Sequence, residues 1–565
     1  MKNLYQYRLR QTADAAGYDE AVAAATLQGV FNRRAGDDAI YLCAERSPWP
    51  DFWLRRFTGD DGWLHAAERH ALPDLPALVR LAAPFLDTVI MWDETVPATL
   101  NAATTIAGVE NGIVLSAALA KTLLPLLSGC RCVDLRGRFT GTETGSAKND
   151  VYRWAIREYV QTGRCNKHLL CLYEDSAYTR CCGNTGYAVT RDWAVYNRAF
   201  VYDLSPWGDE LPGDDLTQPM GTDLQTYQLL LSAQQAQTAG QCLTEVAGFF
   251  SFDKYAKTPR HESAHGDVAT EWETVYLISP YGCYQNTVAH NCFNQSVHSQ
   301  FRLPALHQPH PQVGQTRHIE NKRYLCIHMG DYDSAEPLYE KLPEIWTDGS
   351  RGKLPLAWAV NPNLLNTYPD MIDWLYRTRT EQDFFVSDAC GAGYFNPSRI
   401  SAAQWPLLRA HNEAYFRKMD LSIAPMILDF EAPNRLTEQN YAAFAPDGCG
   451  VCVIDQHKTG ATTPEPYLTQ EGLLMDTLYI PASHCTSPLD TAQRIAPALE
   501  NDRPDKPSFH YIRIVWQDAG WVLQALEHLR AMRPDLSIEV LNPYDYFAMH
   551  ARLLRQTEQA PAALF

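Results

Sequence analysis

Carboxylate side chains follow several apolar segments in the C-terminal half of this chain. Asp331 and Asp333 come shortly after RYLCIHM. Asp388 follows DFFVS, and Glu431 follows LSIAPMILD. When a glycosidic bond is hydrolysed, one carboxylic acid protonates the leaving oxygen, and a second carboxylate acts as the nucleophile or as the base for water. These four acidic residues are therefore the predicted catalytic groups of a glycoside hydrolase.

Amide, aromatic and basic side chains occupy similar positions and could bind a sugar. Ligand sites combine apolar and aromatic walls with a few polar groups that fix orientation. We interpret as substrate-binding a set of residues that follow or lie within these segments: Asn361, Asn363, Gly391, Gly393, Tyr394, His510, Arg513 and Trp516. Asp455 and His484 follow two further apolar segments and add polar groups at this kind of position.

The stretch SDACGAGYFNP, residues 387–397, leaves one of the apolar segments through two glycines and a proline. Glycine permits a positive φ and a close approach of the backbone, and proline fixes φ at the exit. One interpretation is that Gly391 and Gly393 let the backbone approach a ligand, with Tyr394 as an apolar face for a sugar ring. The alternative is a tight turn in which Asp388 hydrogen-bonds to its own loop.

Other candidate residues also have a structural interpretation. Asp333 or Ser334 could cap the helix predicted over AEPLYEKL. His510 has apolar neighbours, which is also typical of a hydrogen-bonded histidine in a core. Cys449 and Cys452 form a C-x-x-C pair, but no second pair completes a zinc site. The sequence therefore predicts neither a metal site nor a cofactor.

The elements that must position these groups lie between residues 318 and 565. Eight strand-like segments occur there, most of them separated by segments of helix length: RYLCIHM, LPLAWAV, DFFVS, LSIAPMILD, GVCVID, DTLYIP, FHYIRIV and SIEVL. This order predicts a (β/α) barrel-like catalytic domain of seven or eight strands. In such a barrel the catalytic groups lie on the loops that follow the strands. A doubly wound open sheet is the alternative.

The first 312 residues alternate shorter helix and strand patterns, which predict small α/β layers with parallel strands. Breaks in composition, such as the Pro- and His-rich stretch 303–315, mark candidate boundaries. The predicted segments are an α/β subdomain over 1–72, a second over 73–140, a helical and strand segment with a linker over 141–224, and a third α/β subdomain over 225–312. The predicted fold class is multi-domain α/β.

Length and charge limit the class of protein. A chain of 565 residues is longer than one hydrophobic core usually supports. The net charge is −18 and no long Lys/Arg run is present, so neither a nucleic acid nor a membrane is a predicted partner. The predicted partner is a small-molecule carbohydrate substrate. The sequence does not indicate an oligomeric state.

The start of the chain and its cysteines bear on location. The first residues lack the apolar core of a secretory signal, and no apolar run approaches the roughly 20 residues of a membrane span. The 15 cysteines show no spacing framework for disulfides, which is typical of thiols in a reducing compartment. We therefore expect a cytoplasmic protein.

The stretch GAGYFNP, residues 391–397, resembles the signature of the GxGYxYP putative glycoside hydrolases, a family of bacterial proteins. Asn396 stands where the family name has tyrosine. Four other stretches resemble family segments: TLQGVFNRR (26–34), YLISPYGCYQNTVAHNCFNQSV (276–297), GDYDSAEPLY (330–339) and LPLAWAVNPNL (354–364). The resemblance implies α/β N-terminal segments, a C-terminal barrel-like domain and glycosidase activity. It does not assign a catalytic pair.

Three other functions are consistent with the same residues. The segment HMGDYDS places two aspartates near a histidine, which would suit a metal-dependent carbohydrate deacetylase. Tyr394 and Arg513 could serve a polysaccharide lyase as the acid and as the group that neutralises charge. A non-catalytic carbohydrate-binding protein is the third alternative.

Overall fold

The structure is a computed structural model of the chain. It describes all residues except 13, 175–185, 210, 213–214, 250–266, 455–459, 482–484 and 560–565. Asp455 and His484 therefore lie outside the described residues. The chain divides into two compact units, Met1–Arg302 and Leu303–Phe565, while the predicted boundaries inside the first unit stay predictions. No helix in the described ranges is long and apolar enough to cross a bilayer.

Short parallel strands form three small sheets in the described part of the first unit. The first sheet has the spatial order β2-β1-β3 and consists of β1 (Asn3–Leu9), β2 (Asp38–Ala44) and β3 (Glu68–Leu72). The second has the order β5-β4-β6 and consists of β4 (Thr88–Met91), β5 (Gly112–Leu115) and β6 (Arg131–Asp134). The third has the order β10-β9-β7-β8 and consists of β7 (Leu169–Tyr173), β8 (Phe200–Tyr202), β9 (Thr244–Phe249) and β10 (Cys283–Asn286).

Helices accompany these sheets, as the alternation of helix and strand patterns predicts. They are α1 (Ala15–Arg34), α2 (Trp49–Thr58), α3 (Leu75–Ala82), α4 (Ala98–Glu110), α5 (Ala117–Leu123), α6 (Ala147–Ala155), α7 (Arg191–Tyr196), α8 (Thr222–Thr238), α9 (Asp267–Ile278) and α10 (Gln295–His298). The helix α1 contacts β2, β5 and α7. Because neighbours cover it on several sides, it is buried continuously from Gly17 to Asn32. The prediction of small parallel α/β layers is confirmed.

A nearly closed barrel forms the second unit. Its strands are β11 (Arg323–Tyr332), β12 (Leu356–Val360), β13 (Asp383–Ser387), β14 (Ile423–Asp429), β15 (Gly448–Val453), β16 (Tyr467–Leu468), β17 (Leu474–Tyr479), β18 (Ser508–Val515) and β19 (Ile538–Val540). Among the described residues, seven strands pair in parallel in the order β13-β12-β11-β18-β17-β15-β14. The end strands β13 and β14 contact each other, so the sheet curls almost into a ring.

Helices alternate with most of the barrel strands. They are α11 (Leu342–Trp346), α12 (Pro369–Thr378), α13 (Trp405–Met419), α14 (Arg435–Phe444), α15 (Pro488–Ile495), α16 (Ala519–Met532) and α17 (Pro543–Gln559). All eight predicted strand segments form strands, but SIEVL becomes β19, which pairs with Arg323–Leu325 at the start of β11. Further along β11, the same edge pairs with β12 instead, so β19 lies beside the ring. The predicted barrel is confirmed with seven strands.

Strand β14 carries Pro425 in its interior, where proline normally weakens a sheet because it has no N–H to donate. The pairing of β14 with β15 shifts register between Ala424 and Ile427, so the proline sits in an irregularity of the ladder. Gly450 on β15 lies directly against the Pro425 carbonyl, and a Cβ at this glycine would collide with it. The two strands can therefore pair in this way only if residue 450 has no side chain.

We predict that Gly450→Ala destabilises the barrel by about 1–3 kcal/mol, the usual cost of forcing extra atoms into a packed interior. Gly349→Ala is the control, since a Cβ at Gly349 would meet nothing within 4 Å. Urea unfolding of both variants measures the difference. Equal stability of the two variants would contradict the close packing of Gly450 on Pro425.

Candidate functional site

Three strand ends of the barrel leave the sheet through a non-glycine residue with positive φ. These are Asp331 at +66° on β11, Ala389 at +62° after β13, and Trp516 at +50° after β18. Residues with a side chain seldom adopt this region, and such strain clusters at functional sites. At β11 the pairing with β12 also shifts register between Met329 and Tyr332. The irregular backbone at this end of the barrel therefore sets the directions of the side chains at the strand ends.

A cluster of polar side chains lies at this end of the barrel. Its fully buried carboxylate is Asp388. Its Oδ2 accepts a hydrogen bond from the backbone N–H of Asp331 at 3.2 Å, and its Oδ1 accepts one from Ala389 N–H at 3.1 Å. The Nε2 atom of His328 lies 3.7 Å from the same Oδ1. A buried carboxylate needs such donors, because burial of an unpaired charge is costly. Asp388 therefore ties the end of β11 to the end of β13.

Asp333 is the second carboxylate and is also buried. Its Oδ2 accepts a hydrogen bond from the Tyr394 hydroxyl of the loop after β13, and Ser334 and the backbone beside Asp333 provide further hydrogen bonds. Burial raises the pKa of Asp333 to about 7, and the nearby charge of Asp388 acts in the same direction, while the Tyr394 hydrogen bond opposes both. A carboxyl group with this pKa can carry a proton near neutral pH.

Arg513 connects the cluster to β18. Its guanidinium pairs with the Asp331 carboxylate, and the Trp516 indole donates a hydrogen bond to the Asp331 carbonyl at 2.8 Å. Gly330 leaves room for this arrangement, since a Cβ there would lie 2.7 Å from Arg513 Nε. The side chains of Asp331 and Arg513 retain 23% and 13% exposure, whereas Asp388 has none. The solvent-facing side of the cluster is therefore the Asp331–Arg513 side.

Two buried amides follow β12. The Asn361 side-chain oxygen accepts a hydrogen bond from Asn363 N–H at 3.0 Å, which starts a 3₁₀ turn over Pro362–Asn366. The Asn361 Nδ2 atom and both polar side-chain atoms of Asn363 are buried, and they have no hydrogen-bond partner among the described residues. Buried polar atoms normally find a partner in protein, water or ligand. These amides are therefore suited to binding hydroxyl groups.

His328 belongs to the cluster and was not among the predicted site residues. It lies within β11 and is fully buried, with its Nδ1 atom 3.1 Å from the Tyr511 hydroxyl of β18. Burial lowers the pKa of His328, although the Asp388 charge partly opposes this effect. The sequence signal was the period of two along β11, which puts Cys326, His328 and Gly330 on one face of the strand.

The loop from Asp388 to Ser398 follows β13 and contacts β14, so it bridges the two end strands of the barrel sheet. It leaves β13, and its Asn396 amide donates to the Leu428 carbonyl of β14 at 3.1 Å. Ser398 donates to Asp429 from its backbone N–H at 2.6 Å and from its hydroxyl at 2.7 Å. Burial raises the pKa of Asp429 to about 6. These contacts connect β13 and β14 through side chains and loop backbone.

Both glycines of the loop have positive φ, +146° at Gly391 and +100° at Gly393. A Cβ at Gly391 would collide with Asn412 Oδ1 of α13. The same oxygen accepts a hydrogen bond from Ala392 N–H at 2.6 Å. The close approach at Gly391 is thus to a helix of the barrel, and it explains this glycine without a ligand.

A pocket lies at the opposite end of the barrel, where β15 and β17 begin. Its lining includes Asp447, Leu474, Phe547 and Arg555, and no residue predicted for the site is part of it. Within the described ranges, no group of three or more His, Cys, Asp or Glu side chains is placed to hold a metal ion. The described cysteines form no disulfide bonds with one another.

Comparison with known proteins places this arrangement in a family. Residues 321–551 match the model described as the GxGYxYP putative glycoside hydrolase C-terminal domain, and residues 86–162 match the GxGYxYP_N second domain. The chain belongs to the GxGYxYP family. It is also similar over 97% of its length to 94% of a crystallised chain, a putative hydrolase from Bacteroides thetaiotaomicron VPI-5482, with 17% identity and a TM-score of 0.68. That similarity shows the fold. No curated protein matches.

The GxGYxYP signature therefore lies in the loop that follows β13 and contacts β14. The chain departs from the family name at Asn396, where tyrosine is expected. Here the Asn396 amide is used to hold the Leu428 carbonyl. In this chain, residue 396 thus helps to close the barrel.

The structure brings together most of the predicted site residues. A connected set forms at the carboxyl ends of β11, β13 and β18: Asp331, Asp333, Asp388, Tyr394, Arg513 and Trp516. Asn361 and Asn363 are buried at the end of β12. Gly391 and Gly393 shape the adjoining loop.

Two predicted residues do not join the cluster. His510 lies in the first half of β18, paired in register with Leu325, and its Nε2 atom is 2.7 Å from Asp502 Oδ2. It therefore faces the amino end of the barrel, as the core interpretation allowed. Glu431 follows β14 but is exposed, unlike the buried pair Asp333 and Asp388. Glu431 therefore lies at the predicted end of the barrel without a contact to the buried pair in the described ranges, and its catalytic role stays a prediction.

We predict that Asp333→Asn raises stability above that of the wild type at about pH 8 and leaves it similar at about pH 4. The folded pKa of Asp333, about 7, exceeds the unfolded value of 3.8. The folded state therefore binds more protons within this window, and wild-type stability falls as pH rises through it. The variant lacks this loss, whose size is on the order of a few kcal/mol.

Thermal unfolding at the two pH values measures the effect. Glu431→Gln is the control, because an exposed acid on the same edge should change neither value. A wild type and an Asp333→Asn variant that differ by the same amount at both pH values would show that Asp333 ionises normally.

Proposed function

We propose that this protein hydrolyses the glycosidic bond of a small glycoside or oligosaccharide. The observation that carries the proposal is the pair Asp333 and Asp388, two buried carboxyl groups at one end of the barrel with different surroundings. Asp333 has a raised pKa and a hydroxyl partner. Asp388 has two backbone N–H donors, the kind of partner that suits a charged carboxylate.

Asp333 acts as the general acid. It donates its proton to the glycosidic oxygen as the bond from that oxygen to the anomeric carbon breaks. Asp388 is the second carboxylate and either attacks the anomeric carbon or removes a proton from the attacking water. The product of the first route is a glycosyl ester of Asp388, which water then hydrolyses with Asp333 as base. A carboxyl separation of about 5 Å in the substrate complex favours this route, and about 6.5–9.5 Å favours direct attack by water.

The other members of the cluster bind and orient the substrate. Asn361 and Asn363 present buried amide groups that can hydrogen-bond sugar hydroxyls. Arg513 and Trp516 hold Asp331 at the more exposed side, where a substrate enters. The family name and the name of the structural relative, a putative hydrolase, support the class of reaction.

We predict that the two acids differ in how they depend on the leaving group. Asp333→Asn should lower kcat by orders of magnitude on alkyl glycosides and far less on dinitrophenyl glycosides, whose leaving group needs no proton. Asp388→Asn should lower kcat on both substrates. A screen of aryl glycosides and natural disaccharides finds the sugar first, and steady-state kinetics then compare the variants.

Asp429→Asn is the matched control, since Asp429 is also buried with a raised pKa but binds Ser398. It should retain turnover if it folds. Equal losses for Asp333→Asn on both classes of leaving group would contradict its role as the acid. A product that absorbs near about 235 nm would instead indicate a lyase.

We predict that Tyr394→Phe moves the alkaline limb of the pH–rate profile to higher pH. The Tyr394 hydroxyl stabilises the ionised form of Asp333 and so lowers its pKa. Its removal takes away the largest of the hydrogen-bond effects that oppose burial and the Asp388 charge, so Asp333 keeps its proton to higher pH. The measurement is kcat/KM against pH for the wild type and the variant. A shift of the alkaline limb to lower pH would contradict this assignment.

A further inference from the structure

His328 is a buried titratable residue that the proposed chemistry does not yet use. It lies on β11 between Tyr511 of β18 and Asp388 after β13. The Nδ1 atom is 3.1 Å from the Tyr511 hydroxyl, and the two rings meet edge to face with centroids 5.7 Å apart. The Nε2 atom points to the Asp388 carboxylate at 3.7 Å.

The surroundings select one tautomer of the imidazole. Burial raises the pKa of Tyr511 well above its usual value, so this residue keeps its hydroxyl proton and can donate it to Nδ1. The imidazole is neutral, because burial lowers the pKa of His328 and the Arg513 cation adds to this effect. With Nδ1 as acceptor, the single ring proton lies on Nε2 and faces Asp388. The opposite tautomer would turn a nitrogen lone pair towards a carboxylate.

The contact with Asp388 is longer than a hydrogen bond of about 2.7–3.2 Å. Within the described residues, Nε2 of His328 has no hydrogen-bond partner. A histidine kept only for packing would normally be satisfied, since an unsatisfied buried donor costs about 1–3 kcal/mol. In enzymes without substrate, catalytic hydrogen bonds are often long and shorten only when substrate binds.

We propose that His328 is a positioning residue for Asp388: Tyr511 fixes the tautomer with hydrogen on Nε2, and this N–H engages Asp388 Oδ1 when substrate occupies the site. Asp388 is then held ionised and oriented, and the transferable proton stays on Asp333. Gly330 makes this possible, since a Cβ there would lie 3.1 Å from His328 Cδ2 and 2.7 Å from Arg513 Nε. The inference rests on the proposed function of Asp388.

The charged and titratable groups recorded around His328 within the described residues are Tyr511 and Arg513 on β18 and Asp388 after β13. Asp333 faces Asp388 in turn, with Tyr394 as its partner. Removal of the Nε2–H donor should therefore act on Asp388, which must be ionised in the proposed reaction. That group sets the acid limb of the pH–rate profile.

The first test compares His328→Asn, His328→Gln and a control. His328→Asn should lower kcat about 10- to 100-fold, the scale seen when a partner that orients a reacting group is lost, with KM nearly unchanged and the acid limb moved to higher pH. His328→Gln should recover part of kcat, since its amide nitrogen can reach the place of Nε2. His550→Asn is the control, because His550 contacts Asp476 at 2.9 Å in a second buried pair that includes neither His328 nor Asp388.

A wild-type kcat and pH profile in His328→Asn, with Asp388→Asn inactive, would overturn the inference and leave the proposed function intact. Loss of the same kind in His550→Asn would also overturn it, since the effect would then be general to buried histidines. Tyr511→Phe provides a variant that keeps the imidazole. It should show a smaller loss of kcat than His328→Asn.

A second measurement does not depend on activity. Nitrogen-15 NMR of the wild type should show His328 with its proton on Nε2, and Tyr511→Phe and Asp388→Asn should each change that signal. If the wild type hydrolyses no glycoside, the proposed function of the acids fails, and this spectrum still tests the arrangement. A proton on Nδ1 in the wild type would overturn the inference.

Discussion

The contact between the ends of β13 and β14 is the constraint on which the barrel depends. These strands are the two ends of the hydrogen-bonded order, and the loop from Asp388 to Ser398 spans them. Asn396 and Ser398 reach β14, while Asn412 of α13 accepts from the loop at Ala392. In this chain, the loop that carries the signature therefore also helps to close the ring. Because Asp388 and Tyr394 lie in the same loop, closure of the barrel also fixes the two contacts that organise the carboxylates.

Buried carboxyl groups and backbone strain in the cluster lower the stability of the fold. Two buried carboxyl groups repel each other when both are ionised, and this repulsion adds to burial in raising the pKa of Asp333. Three residues in the positive-φ region add backbone strain at the same end. A core designed for stability alone would contain apolar side chains at these positions. These destabilising features are concentrated at one end of the barrel, while at the other end His510 and Asp502 form a close pair.

The sequence allowed most of the barrel and part of the site to be predicted. Continuous apolar segments identified the strands, and acids directly after them identified Asp333 and Asp388, because parallel strands end at one edge. The pattern could not show that SIEVL pairs beside the ring, since pairing partners are set by tertiary contacts. His510 was predicted as a binding residue and His328 was not, although both lie within strands, because the apolar segments did not show which face of each strand lines the site. Gly391 was assigned to a ligand because its neighbour Asn412 is distant in sequence.

The gradient of exposure constrains the roles within the site. Asp331 and Arg513 are the more accessible members, Asp333 is nearly closed off, and Asp388 and His328 are fully enclosed. In the proposed mechanism, a sugar that enters past the Asp331–Arg513 pair would meet Asp333 before the deeper Asp388. The deeper carboxylate is also the one that accepts backbone N–H hydrogen bonds from two strand ends, which hold its position. In the proposed reaction, Asp333 would protonate an outward-facing leaving oxygen, and the deeper Asp388 would act on the anomeric carbon from the interior.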